Sequence, residues 1–325
     1  MKNYQRFLLP HATEHITRTL HILGLTPKIT PEAFIKKYEG RKHRYATQAV
    51  TDDGCSVIFY ARLHNNEDAR HKFIQDVRML DKLSHGRYAL SRYVPDVYAH
   101  SIRKKYEWFI RENLKQPVVG NVYKEEINFV QRDVRRFVHL FHALQTLPTL
   151  PRHRFERRDA NFFLQISEGN LRQVKSLFTP SERAQIISHL HAEYQTIQSF
   201  TTHLVHGDCH PGNVLMDARH LYLIDWETTQ RNLRTTDIGY FYLSLSGQPK
   251  FRRELLQSFS RKITWEKQFH QLFPLSALFF ALNHLYTLSL HPIEELSAKE
   301  RRSVTHFAQA VVKTAIKGYT ALERL

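Results

Sequence analysis

At 325 residues the chain is long enough for two lobes with separate cores, and 42% hydrophobic with 24% charged residues is ordinary for a soluble globular protein. The excess of 47 Lys and Arg over 31 Asp and Glu gives a net charge of +16, which favours anionic partners in general; peripheral contact with an anionic membrane is compatible with it. The basic residues fall in small scattered groups (Lys36–Arg44, Arg103–Lys105, Arg152–Arg158, Arg252–Arg253) that read as solvated faces, so no specific nucleic-acid partner is expected, and two cysteines, Cys55 and Cys209, exclude a disulfide scaffold or zinc ribbon and fit a reducing, cytoplasmic setting.

The apolar part of the N-terminus is too short for a secretory signal. His11 to Leu23 predicts a short amphipathic helix stopped by Gly24 and Pro27. Two β-rich runs follow, one ending at Val50 and one from Cys55 to Leu63, and T-D-D-G between them predicts a hairpin. Glu67 to Leu83 has helical spacing of Phe73, Val77, Leu80 and Leu83, with Asp76 at the border of that inward face. Val94–His100 and Tyr106–Asn113 suit two further strands that complete a small sheet. After Gly120 the pattern turns helical: Ile127, Val130, Val134, Phe137, Phe141 and Leu144 share one face, and Leu147–Pro151 interrupts it. Thr179-Pro180-Ser181-Glu182 is a helix start, with Thr as cap and Glu three residues on, and that helix carries Ile186, Ile187, Leu190, Tyr194 and Ile197 inward. Leu272–Leu290 has no Asp, Glu, Lys or Arg, yet Pro274, Ser276, Asn283, His284 and Ser289 suit a buried helix better than a membrane span.

The chemistry lies in Leu204 to Asp217, L-V-H-G-D-C-H-P-G-N-V-L-M-D, and in H-L-Y-L-I-D-W-E, His220 to Glu227. His206, Asp208, Asn213 and Asp225 stand in the order H-x-D-x-x-x-x-N … D of a kinase catalytic loop and its magnesium aspartate. An Asp at a loop tip can orient or deprotonate an attacking hydroxyl, and an Asn amide oxygen with a second Asp suits magnesium. Val214–Met216 and Leu221–Ile224 read as two short strands of a hairpin that would return Asp225 beside Asn213, with Pro211 and Gly212 in the tight loop. His206 reads as a loop support rather than a titrating group.

H-G-D-C-H-P-G-N-V-L with L-I-D-W-E resembles the aminoglycoside phosphotransferase and choline-kinase-like family of small-molecule kinases. Gly207 stands where protein kinases carry Arg, and Asp225-Trp226-Glu227 replaces D-F-G, which turns the reading away from a protein substrate. The resemblance implies an α+β, two-lobed protein-kinase-like fold: a small antiparallel sheet lobe over 1–112 that binds nucleotide, and a larger, mainly helical lobe over 113–325 that carries catalysis and substrate. It implies ATP and Mg2+ as cofactors, and a hinge near Phe109–Glu112. By the same resemblance Gly40 is the nucleotide-loop glycine, and Arg62 the strand cation for the ATP phosphates, steadied by Asp76. A turn glycine, a surface arginine and a solvated helix aspartate are the plain alternatives at those three positions. Asp237, after the metal aspartate, would brace the catalytic loop from a helix start. The expected function is transfer of the ATP γ-phosphoryl group to a hydroxyl of a small molecule, a sugar or amino alcohol ahead of an antibiotic, with substrate contacts sought in Arg152–Thr179; the alternative is an inactive ATP-binding scaffold.

Overall fold

The computed structural model describes residues 8–38, 42–102, 105–121, 133–147, 155–290 and 296–325. They form two compact units: residues up to Gln116 together with Ile224–Thr228, and Pro117–Leu223 together with Thr229–Leu325.

The first unit runs α1 (Ala12–Ile22), β1 (Leu25–Pro27), α2 (Pro31–Lys37), β2 (Arg44–Thr51), β3 (Ser56–Arg62), α3 (Glu67–Ser84), β4 (Val97–Ser101) and β5 (Trp108–Glu112). Its five strands lie in the order β1-β2-β3-β5-β4, each antiparallel to its neighbour. The expected hairpin forms because Gly54 takes φ +84°, a left-handed value open to glycine, and its N–H reaches the Thr51 carbonyl at 2.9 Å. That turn sets the register, with Val50 opposite Ser56 and Arg44 opposite Arg62. Alternation then sends Val57, Phe59, Ala61 and Leu63 to one face, where they bury against Ile16 and Leu20 of α1 and Phe34 of α2. Each large side chain buried there contributes roughly 1.5–3 kcal/mol. On the other face Tyr60 stacks on Phe109 at 4.6 Å, and Phe73 of α3 meets Phe109 edge-on at 5.5 Å. The helix α3 begins where Asn66 caps the Ala69 N–H at 2.8 Å. Gly40 lies outside the described residues.

The second unit is mainly helical: α4 (Val134–Leu144), α5 (Ala160–Gln173), α6 (Pro180–Ala192), α7 (Tyr194–Phe200), strands β6 (His203–Val205), β7 (Val214–Met216), β8 (Leu221–Leu223) and β9 (Gln230–Asn232), then α8 (Thr236–Leu243), α9 (Pro249–Lys262), α10 (Glu266–Leu290), α11 (Ala298–Ala315) and α12 (Tyr319–Arg324). Antiparallel pairs β6–β9 and β7–β8 flank the loop from His206 to Asn213. The apolar face expected after Gly120 is seen as α4, whose Phe137 and Phe141 pack on Phe241 of α8 at 4.9 and 5.3 Å; Ile127 and Val130 lie outside the described residues. The Thr179 capping box forms as expected, but Ile187, expected inward, is exposed beside the buried Ile186, and the helix breaks after Ala192 and restarts as α7, so Tyr194 and Ile197 belong to a separate helix. Within Arg152–Thr179, named from the sequence as the place for substrate contacts with no element assigned to its middle, α5 forms from an Asp159 cap. The apolar stretch ending at Leu290 is α10, long and apolar enough to cross a membrane; 78% of its most apolar window is buried inside the fold, where it packs on α5, α8 and α11.

Candidate active site

In the second unit, β6 delivers the chain to His206 and Gly207, the latter at φ +85°. Asp237, in the first turn of α8 and only 3% exposed, accepts the backbone N–H groups of His206 at 3.0 Å and Gly207 at 2.9 Å. Burial raises the Asp237 pKa, while His206 and these two N–H groups pull it down. His206 is fully buried, and its Nδ1 accepts the Asp208 N–H at 3.2 Å, which ties its ring to the loop. The Asn213 amide nitrogen donates to the Asp208 carbonyl at 2.9 Å and to Asp208 Oδ2 at 3.0 Å.

This arrangement fixes what each atom can do. Oδ1 of the partly exposed Asp208 is the oxygen that can meet an acceptor hydroxyl. With its nitrogen committed to Asp208, Asn213 has its amide oxygen for a hard cation, which fits magnesium chemistry. The loop between them is tight: Gly212 N–H bonds His210 Nδ1 at 3.0 Å, and a Cβ on Gly212 would stand 2.7 Å from the His210 ring. His210 Nε2 lies 3.6 Å from Asp208 Oδ2. Beside it, Cys209 is fully buried, and burial pushes its thiol pKa well up, so it is no nucleophile. The expected β7–β8 hairpin forms with Val214 opposite Leu223.

Asp225 belongs to the first unit. It sits at φ +69°, a left-handed strain of roughly 1–2 kcal/mol for a residue with a Cβ. Arg44 Nη2 bonds its Oδ1 at 3.1 Å, while Arg44 Nη1 bonds Asp76 Oδ2 at 3.0 Å and lies 3.6 Å from Glu227 Oε2. Asp76 also accepts the Trp226 N–H at 3.0 Å, and Gln75 donates to the Glu227 carbonyl at 2.8 Å, so α3 holds the D-W-E segment by side chain to backbone. Burial pushes the Asp76 pKa up to about 6 against the pull of Arg44, and burial with the nearby Asp225 pushes Glu227 to about 6. On Arg44 burial opposes the charge, but Asp225, Asp76 and Glu227 outweigh it and raise the pKa.

A sequence model of the phosphotransferase enzyme family (APH) matches residues 48–269, more than half of the chain. The chain belongs to this family. Solved structures with the same fold include the GDP and kanamycin complex of APH(2")-IIia, 14% identical over 91% of this chain and 97% of that one, with a TM-score of 0.57. Others are the microcompartment-associated aminopropanol kinase, 12% identical over 96% and 99% with a TM-score of 0.57, and the amicoumacin kinase hAmiN in complex with AMP-PNP, Ca2+ and Ami, 14% identical over 92% and 93% with a TM-score of 0.53. The comparison with curated proteins gives no match.

In this phosphotransferase one expected pairing is not formed. Arg62 does not meet Asp76: its Nε bonds Glu107 Oε2 at 2.7 Å, its Nη1 bonds the His64 carbonyl and its Nη2 the Lys105 carbonyl at 3.0 Å. Glu107, its carboxylate fully buried, also accepts Arg70 Nε at 2.7 Å. The reason is local: the Arg62 N–H bonds the Glu107 carbonyl at 3.0 Å, so backbone pairing sets the acid beside the guanidinium. Asp76 takes Arg44 instead, from the neighbouring strand. The sequence reading missed Arg44 and Glu107. Arg44 could have been found by extending the Asp-Gly hairpin register, which sets it directly opposite Arg62; Glu107 carries no motif.

Proposed function

We propose that this phosphotransferase moves the γ-phosphoryl group of ATP to a hydroxyl of a small molecule, with magnesium as the bound cation. The observation that carries the proposal is the catalytic loop: Asp208 is pinned by Asn213 and by its own N–H on His206, and the two residues before it are clamped by Asp237. A carboxylate fixed in this way orients the acceptor hydroxyl and takes its proton. Phosphoryl transfer depends chiefly on such positioning and on charge stabilisation. By the order of the sequence motif, Asn213 would supply an amide oxygen and Asp225 a carboxylate to magnesium, which would shield the charge developing on the transferring phosphoryl group when bound. The nucleotides, the Ca2+ and the small hydroxyl compounds named for the related structures support the same reading. Their variety, from kanamycin to aminopropanol, leaves the acceptor class broad, and a sugar or amino alcohol is our first choice.

The test is a transfer screen: purified protein with ATP and Mg2+, or with GTP, against pooled hydroxyl metabolites, with products read by mass. A phosphorylated product that vanishes in Asp208→Ala, while MgATP affinity is kept, is the expected result. Tight MgATP binding without transfer to any compound would make the chain an ATP-binding scaffold instead.

A further inference from the structure

We propose that Arg44 is the residue that receives the nucleotide phosphates in the first unit, and that it does so by exchanging its bond to Asp225 for the phosphates when the divalent cation arrives. The inference rests on the proposed use of Mg-nucleotide and deepens it by naming the cationic side chain. Arg62 is unsuited to that role, because it is 4% exposed and all three guanidinium nitrogens have protein partners. To reach a phosphate it would have to leave Glu107 buried beside Arg70 alone, a costly break.

Arg44 has the opposite character. Its side chain is about a quarter exposed and lines a cavity of about 300 Å3 with Lys42, His43, Lys72, Asp68 and Glu227. One guanidinium there answers three carboxylates, those of Asp76, Asp225 and Glu227, within 3.6 Å. With all three ionised the cluster carries an excess of negative charge that a divalent cation at Asp225 would neutralise. Nη2 of Arg44 bonds Asp225 Oδ1, so a cation held by Asp225 would compete with it for that carboxylate. Asp76 is buried and tied to the Trp226 N–H, so it stays as the anchor from which the guanidinium swings into the cavity. The planar fork then keeps one nitrogen on Asp76 and offers the other to a phosphate oxygen, a pairing that a lysine could not divide in this way.

The experiment compares wild type with Arg44→Ala and Arg44→Lys, each first checked for native circular dichroism and melting. Calorimetry measures MgATP and adenosine binding, and Mn2+ spin resonance measures the cation alone. For Arg44→Ala we expect MgATP affinity to fall on the order of tenfold or more with adenosine affinity unchanged, and Mn2+ to bind at least as tightly as in wild type because its competitor is gone. Arg44→Lys should recover part of the MgATP affinity. Unchanged MgATP affinity in both variants, or weaker Mn2+ binding in Arg44→Ala, overturns the exchange while leaving phosphotransfer intact. A wild-type protein that binds no MgATP overturns both readings. Should the alanine variant fail to fold, Arg44→Lys decides: full wild-type affinities for MgATP and Mn2+ overturn the proposal.

Discussion

Replacing Asp237 isolates the clamp from the chemistry it supports. In Asp237→Ala the backbone N–H groups of the buried His206 and the partly buried Gly207 lose acceptors at 3.0 and 2.9 Å. Hydrogen bonds to a charged group are worth about 1.5–3 kcal/mol each, and removing the carboxylate also removes its own burial cost, so the net loss should be about 3 kcal/mol. For a unit of this size that lowers the melting temperature by roughly 10 °C. Asp237→Asn keeps one acceptor but turns an NH2 group toward the second N–H, so it should lose about 2 kcal/mol. Both variants release the two residues that precede Asp208. Turnover should then fall on the order of a hundredfold through misplacement of that carboxylate, with MgATP affinity nearly kept. Differential scanning calorimetry and steady-state kinetics with the acceptor from the transfer screen measure the two quantities. If Asp237→Asn melts within a degree of wild type and turns over normally, the loop does not depend on this clamp.

Arg62→Leu should cost roughly 3 kcal/mol of stability, because Glu107 is left buried with Arg70 as its remaining ion-pair partner; a large loss of MgATP affinity at unchanged stability would instead make Arg62 the phosphate ligand. His203 gives a pH dependence. Burial, aided by Arg234 and Arg231, lowers its pKa to about 4, below the unfolded value of 6.5. Between those values the unfolded chain binds more protons, so stability falls as pH drops, by up to about 1.4 kcal/mol per pH unit. Urea titrations at pH 7.5 and 5.0 should show His203→Asn losing about 2 kcal/mol less than wild type across the interval; equal losses would remove His203 as a source of acid sensitivity.

What could be read beforehand follows from where the information is stored. The Asp-Gly turn, the Thr179 capping box and the Asp208–Asn213 spacing are local, and each acts through a few neighbouring residues, so the hairpin, the start of α6 and the tight loop that joins Asp208 to Asn213 were legible. The break after Ala192 was not, since Ile186, Leu190 and Ile197 keep an apolar spacing that runs through it. Nor was α5, whose buried Phe163, Leu164, Ser167, Asn170 and Leu171 mix apolar with polar side chains. Pairing partners were legible only as far as register was.

The two arginines show why register matters to function. Arg44 and Arg62 are the same residue type, directly opposite each other across one hairpin, and motif position alone favours Arg62 because it ends the strand that resembles the family's cation strand. The structure separates them by what the next strand brings. Backbone pairing brings Glu107 to Arg62, and a buried, fully bonded guanidinium there ties β3 to the start of β5 and, through Arg70, to α3. That leaves Asp76 to Arg44 on the more exposed side, where a carboxylate cluster and an open cavity meet. A cation that must change partners during a catalytic cycle has to sit where its alternative partner can reach it. Between two otherwise equivalent arginines, accessibility and the number of committed nitrogens favour Arg44.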